Sequence, residues 1–225
     1  MVLLVMLILV SACGKMNSSV DKWIASPDGN TEVLFHLTED GRPTYKVMFG
    51  DDKIIDESFL GFTLKDDKAL QDNFKILNSA IVTFNETWQM PWGEQLDVVN
   101  NYNELKVELQ EKTSPERFLN IVFKVYDDGI GFRYEFPEQT RFKGDVLIKE
   151  EHTEFNLTED YKTFWIPGDW DIYEHLYSTT KLSEVDAIAY AEHVNLAQTY
   201  IPENALNTTV TMVSDNGIHL SFHEA

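Results

Sequence analysis

Short runs of alternating apolar and polar residues, each closed by a turn signal, recur along nearly the whole chain and exclude most architectures at once. Val33, Phe35 and Leu37 alternate ahead of Glu39-Asp40-Gly41, and Tyr45, Val47 and Phe49 ahead of Gly50-Asp51-Asp52. Strands are also expected at residues 59–64, 74–87, 105–109, 146–149, 163–166, 208–213 and 218–222. The clearest hairpin joins residues 118–126 to 131–136 through Asp127-Asp128-Gly129, because glycine adopts the positive φ that such a turn needs. Ser214-Asp215-Asn216-Gly217 joins the last two strands in the same way, and residues 182–194 read as a short helical or irregular segment. There is no strand–helix alternation and no repeat of fixed period. The expected fold is all-β, an antiparallel β-sandwich. The chain stops at Phe222-His223-Glu224-Ala225, straight after a strand, so the sandwich is expected to be incomplete at its C-terminus.

Of 225 residues, 43% are hydrophobic and 12% aromatic, which supplies a substantial core. The net charge is −20, from 38 acidic and 18 basic residues. A field of that sign repels phosphate backbones, so nucleic acid is not an expected partner. It is compatible with divalent cations and with neutral ligands such as sugars.

The first twelve residues, MVLLVMLILVSA, are almost wholly apolar and end at the only cysteine, Cys13. They are too short for a spanning helix, which needs about 20 apolar residues, and fit the apolar region of an export signal. Val10-Ser11-Ala12-Cys13-Gly14 resembles a bacterial lipobox, although no basic segment precedes it; a plain signal with a coincidental cysteine is the alternative. The resulting division is a lipoprotein signal over 1–13, a tether over 14–22 and a folded domain over 23–225. The expected location is the periplasm or outer membrane of a Gram-negative bacterium, through a lipid anchor on Cys13. The folded part must then hold without disulfides.

Three constellations bear on chemistry. Trp88, Trp92 and Glu94 stand close together around Pro91 and Gly93; exposed indoles stack on sugars, but the same residues can plug the end of a sandwich. Asp169, Asp171, Glu174 and His175 follow Phe164-Trp165-Ile166-Pro167-Gly168 and offer oxygen ligands for a hard cation such as calcium. Their spacing is not that of an EF-hand, and an ordinary acidic loop is the alternative. The six histidines (His36, His152, His175, His193, His219, His223) form no zinc signature and read as surface or core residues. No phosphate loop, nucleophile elbow or Cys–His pair is present, and no catalytic residue is assigned.

The chain resembles the N-terminal domain of glycoside hydrolase family 97, the calcium-dependent α-glucosidases and α-galactosidases of Bacteroidota. The resemblance runs through Ser26-Pro27-Asp28-Gly29-Asn30, Gly41-Arg42-Pro43-Thr44-Tyr45 and residues 84–105. It is strongest at residues 128–137 (DGIGFRYEFP) and continues in 148–152, 164–170 (FWIPGDW), 182–184 and 219–225. It implies a galactose-mutarotase-like β-super-sandwich that packs over a (β/α)8 catalytic barrel absent from this chain. It further implies that Glu174 lends one ligand to a calcium ion shared with the barrel, and that α-linked oligosaccharides are the substrates. The segment around Asn195 matches one that approaches the sugar in relatives, although it departs from their Pro/Asn/Ser-rich run. Trp88, Trp92, Glu94 and Asn195 are thus the candidate sugar contacts. The expected role is a domain that is inactive alone and completes a glycosidase site; the alternative is a free-standing, lipid-anchored carbohydrate-binding module.

Overall fold

The computed structural model describes residues 21–192 and 199–224, so Cys13 and Asn195 lie outside the described residues. The chain divides into two compact units, residues 1–51 with 57–154, and residues 52–56 with 155–225. Strands in antiparallel sheets make up most of the regular structure, as the alternation requires.

The first unit holds β1 (Lys22–Ala25), β2 (Thr31–Leu37), β3 (Pro43–Phe49) and the end of β4 (Asp52–Phe59), in the sheet order β1-β2-β3-β4. It also holds β5 (Phe62–Leu64), β6 (Phe74–Gln89), β7 (Asp97–Glu111), β8 (Phe118–Tyr126), β9 (Gly129–Glu135) and β10 (Ile148–Glu151). Strands β6 to β9 form a second sheet in sequence order, and β5 pairs with β10. Alternate residues of β2 and β7 are buried: Val33, Phe35 and Leu37 on one, Leu105, Val107 and Leu109 on the other. The two sheets meet through aromatic rings, with the Phe35 and Phe123 centroids 6.3 Å apart and those of Tyr45 and Phe123 5.9 Å apart. This unit is a β-sandwich.

Strands β6 and β7 make one long hairpin, paired from Phe74↔Glu111 to Gln89↔Asp97. Strand β8 pairs only with Asn103 to Gln110 of β7, so the far half of the hairpin is a two-stranded ribbon beyond the sheet. Trp88 belongs to this ribbon, opposite Val98, and not to an irregular loop as the proline and glycine nearby suggest. The run expected as a single strand over 59–64 is broken at Leu60-Gly61, between β4 and β5. Gly61 has φ +152°, and a Cβ there would stand 2.7 Å from Cβ of Gln71, so both backbone angle and space demand glycine.

A buried charge cluster ties the loops of this unit together. The Arg117 side chain is fully buried and pairs with Glu111 through Nη2 at 2.6 Å and Nε at 2.8 Å. Its remaining donors reach the carbonyls of Lys68 at 2.7 Å and Ala69 at 2.8 Å. Asp67 lies 3.4 Å from the guanidinium and bonds Arg141 at 2.8 Å. A hydrogen bond from Arg141 holds the Asp67 carboxyl down at about 2, against the opposing effect of burial.

The second unit holds β11 (Lys162–Trp165), β12 (Ser178–Lys181), a 3-10 turn at Leu182–Glu184, α1 (Ala187–Glu192), β13 (Val210–Val213) and β14 (His219–Phe222). The sheet order is β12-β11-β13-β14. Tyr161, Val210 and Met212 form its core, with Leu157, Leu182, Leu206, Leu220 and Phe222 packed around them. In the segment expected as short helical or irregular over 182–194, the 3-10 turn and α1 appear, and His193 and Val194 lie outside the described residues.

Replacing Arg117 by Met leaves the Glu111 carboxylate buried without its cation, and the expected loss of stability is about 3–5 kcal/mol. Urea denaturation followed by tryptophan fluorescence measures this; an unchanged midpoint would mean that the cluster does not hold the loops.

Candidate functional site

Strand β11 ends at Trp165 and leads into Ile166-Pro167-Gly168-Asp169, which runs beside the returning segment 199–207. Gly168 donates to Ala205 O at 2.7 Å and accepts from Ile201 N–H at 2.9 Å. A Cβ at Gly168 would lie 2.9 Å from Ile201 Cδ1 and 3.1 Å from Ala205 Cβ, so a larger residue would need the Ile201 side chain to shift and Ala205 to give slightly. The next residue is thereby placed under the loop that follows.

Asp169 is the centre of that loop. Its side chain is fully buried, and so is that of His175. Oδ1 accepts the N–H groups of Asp171 at 2.9 Å and Ile172 at 3.2 Å. Oδ2 accepts His175 Nε2–H at 3.2 Å and the Thr199 N–H at 3.3 Å. The Thr199 hydroxyl lies 2.7 Å from Asp169 Oδ1 and 3.0 Å from Asp171 Oδ2, and its one proton serves the shorter contact. His175 stacks on Tyr200 with ring centroids 5.1 Å apart. Asn207 binds both sides of the loop, accepting from Asp169 N–H at 3.2 Å and donating to Ile172 O at 3.3 Å. Burial opposes the Asp169 charge, but the N–H of Asp171, the Thr199 hydroxyl, the N–H of Ile172 and His175 outweigh it. The carboxyl is held well below the usual carboxylate range.

The residues between these anchors point outward. Glu174 is exposed, and no described residue forms a hydrogen bond or ion pair with its carboxylate. Trp170 is 71% exposed, Tyr173 70%, Leu176 84% and Tyr177 64%. Four large apolar side chains in one short loop are an unusual concentration for a free surface. The sequence groups Asp169, Asp171, Glu174 and His175 as one set of ligands, and the structure gives them different tasks. Asp169 and His175 are consumed by each other, Asp171 faces Thr199, and Glu174 alone offers a free carboxylate. Thr199, Tyr200 and Asn207 escaped the sequence reading because they join the loop from some 30 residues further on.

A bound calcium ion needs six to eight oxygens. Among the described residues there is no group of three or more His, Cys, Asp or Glu side chains that could hold a metal. Glu174 fits a cation as one hard oxygen donor in a shared shell; the loop does not fit one as a complete cage.

Of the other sequence candidates, Trp88, Trp92 and Glu94 lie in the first unit, at the end of the β6–β7 ribbon. Met90 N–H bonds Leu96 O at 2.8 Å and Gln89 bonds Asp97 at 3.0 Å, closing the tip. Trp88 is 43% exposed, Trp92 85%, and Glu94 is exposed between the strands. From residue 76 to 105 there are four carboxylates (Glu86, Glu94, Asp97, Glu104) and no Lys or Arg.

Residues 24–225 match the family described as Glycosyl-hydrolase 97 N-terminal. A glycoside hydrolase family 97 enzyme from Pseudoalteromonas sp. strain K8, solved as a variant in complex with panose, is 31% identical, with a TM-score of 0.77. The same enzyme in complex with acarbose superposes with a TM-score of 0.76 at 31% identity. Each match covers 91% of this chain and 28% of the other, so the chain spans just over a quarter of those relatives. A β-arabinopyranosidase, 24% identical with a TM-score of 0.63, covers 70% of this chain and 26% of its own, and shares the fold alone. The chain belongs to the glycosyl-hydrolase 97 N-terminal family.

The depressed Asp169 value carries a pH signature. A carboxyl whose folded value lies below its unfolded one (about 4) stabilises the fold above that value and ceases to do so as pH falls through the folded value. The stability difference between the natural protein and Asp169→Asn is therefore expected to be full at about pH 7 and to shrink towards about pH 2. Thermal melts across that range measure it; a difference that grows on acidification would contradict the assignment.

Proposed function

We propose that this chain is the N-terminal domain of an α-glycoside hydrolase and completes its cation and substrate site, without hydrolytic activity of its own. Glu174 supplies one oxygen ligand to a calcium ion, and a (β/α)8 barrel, joined in cis or bound in trans, supplies the others. The substrates are α-linked oligosaccharides, in keeping with the panose and acarbose bound by the Pseudoalteromonas enzyme. The observation that carries the reading is the free, exposed carboxylate of Glu174 on a loop whose neighbours Trp170 and Tyr173 are also exposed. A bound calcium ion supplies positive charge and a rigid anchor that orients substrate oxygens. The aromatic side chains around Glu174 serve as the contact with the barrel and exclude water from the site on docking.

The purified chain is expected to show no measurable hydrolysis of aryl α-glucosides; turnover near that of a complete enzyme would overturn the proposal. Joined to the Pseudoalteromonas enzyme in place of the matched segment, the chain is expected to support calcium-dependent cleavage of panose. In that fusion Glu174→Gln raises the calcium concentration for half-maximal rate by about tenfold or more. An unchanged calcium requirement would remove Glu174 from the site.

The exposure of Trp92, with Trp88 and Glu94 beside it, favours a second reading, a carbohydrate-binding module that works by itself. Calorimetric titration of the chain with soluble α-glucan separates the two. The module requires a dissociation constant of about 1 mM or tighter, lost in Trp92→Ala; heat changes equal to dilution would exclude it.

A further inference from the structure

We infer that Asp169, acting with His175, is a positioning residue that fixes the backbone on both sides of Glu174 and so sets the orientation of its carboxylate. The inference rests on the proposed role of Glu174 as a cation ligand and adds what holds it there. The geometry is one of brackets. The Asp169 carboxylate receives the N–H groups of residues two and three positions ahead, Asp171 and Ile172, and the imidazole six positions ahead, His175. Glu174 stands between those attachments. The carbonyls on either side are also held, Ile172 O by Asn207 at 3.3 Å and Leu176 O by the Tyr190 hydroxyl at 2.9 Å.

Two facts make the carboxylate at 169 hard to replace. Five donors converge on its two oxygens: the N–H groups of Asp171, Ile172 and Thr199, the Thr199 hydroxyl and His175 Nε2–H. An asparagine offers one oxygen and turns an NH2 group towards some of these donors. The site is also sealed, since both side chains of the Asp169–His175 pair are fully buried and water cannot substitute for a lost bond. With His175 donating from Nε2, its Nδ1 is buried without a hydrogen-bond partner among the described residues, as is the hydroxyl of Tyr200, the ring on which it stacks. Among the described residues, the contacts of the His175 ring are its bond to Asp169 and its stacking on Tyr200. Neither Asp169 nor His175 is a ligand in this scheme; they act through Glu174.

The test has one arm on the chain as it is and one on the fusion with the Pseudoalteromonas barrel. In the chain, NMR order parameters at Tyr173 and Glu174 are expected to be those of rigid backbone, about 0.85, and to fall below about 0.6 in Asp169→Asn. Those in β11 and β13 stay unchanged. In the fusion, terbium or calcium binding measured by calorimetry is expected to weaken about 10–100-fold in Asp169→Asn and in His175→Leu. His175→Gln, which retains an N–H for Asp169, restores binding to within about threefold of the natural sequence. Because His175→Leu is apolar and suits a buried position, it carries the test even where Asp169→Asn fails to fold. Rigid order parameters in Asp169→Asn, or cation binding indifferent to both substitutions while Glu174→Gln abolishes it, would overturn the positioning role. Cation binding indifferent to Glu174→Gln would instead overturn the function on which it rests.

Discussion

A buried carboxylate has to be fed by donors or it will not stay charged, and in this protein that requirement shapes the loop on which function is proposed to rest. Asp169 is removed from water and surrounded by N–H and O–H groups drawn from its own loop and from Thr199. Because the donors lie ahead of Asp169 in sequence and across from it in space, satisfying them folds residues 169–175 into one shape. The order that results is local. It needs no regular secondary structure, and it leaves Trp170, Tyr173 and Glu174 outside. The loop thus exposes these side chains while a buried polar centre pins its backbone.

The first unit meets a related problem by another route. Its loops are joined by Arg117, whose planar guanidinium pairs with both oxygens of Glu111 and reaches two backbone carbonyls. Such a cluster offers specificity more than net stability, since desolvating both charges costs several kcal/mol per ion. The bulk of the stability comes from the aromatic and aliphatic layer between the sheets, where Phe35, Tyr45 and Phe123 interlock. With Cys13 the only cysteine, no disulfide within the chain assists.

Much of this was legible in the residues. The hairpin between β8 and β9 was legible, although its turn is Asp127-Asp128 alone, since Gly129 pairs with Tyr126 as the first residue of β9 and does not take the expected positive φ. Val33, Phe35 and Leu37 gave the buried face of β2, because that signal is local. The far half of β7 was not legible. Residues 97–104 carry Asn100, Asn101 and Asn103, poor strand formers, and they are held extended by their ladder with β6 and by bonds such as Thr83 Oγ1 to Asn103 Oδ1 at 2.7 Å. The candidate site divides in the same way. The loop and its exposed aromatic residues could be read from FWIPGDW and the acids after it. That Asp169 turns inward while Glu174 turns outward could not, because Thr199 and Asn207, which decide it, lie far along the chain.

The membership of the family and the all-β fold define what the chain is; the cation is what would make it useful. The most direct measurement is anomalous diffraction from crystals of this chain joined to a family 97 barrel and soaked in calcium. An ion is expected with a Glu174 carboxylate oxygen at about 2.3–2.6 Å and its other ligands from the barrel. An ion coordinated wholly by the barrel, with Glu174 turned away from it, would contradict the account.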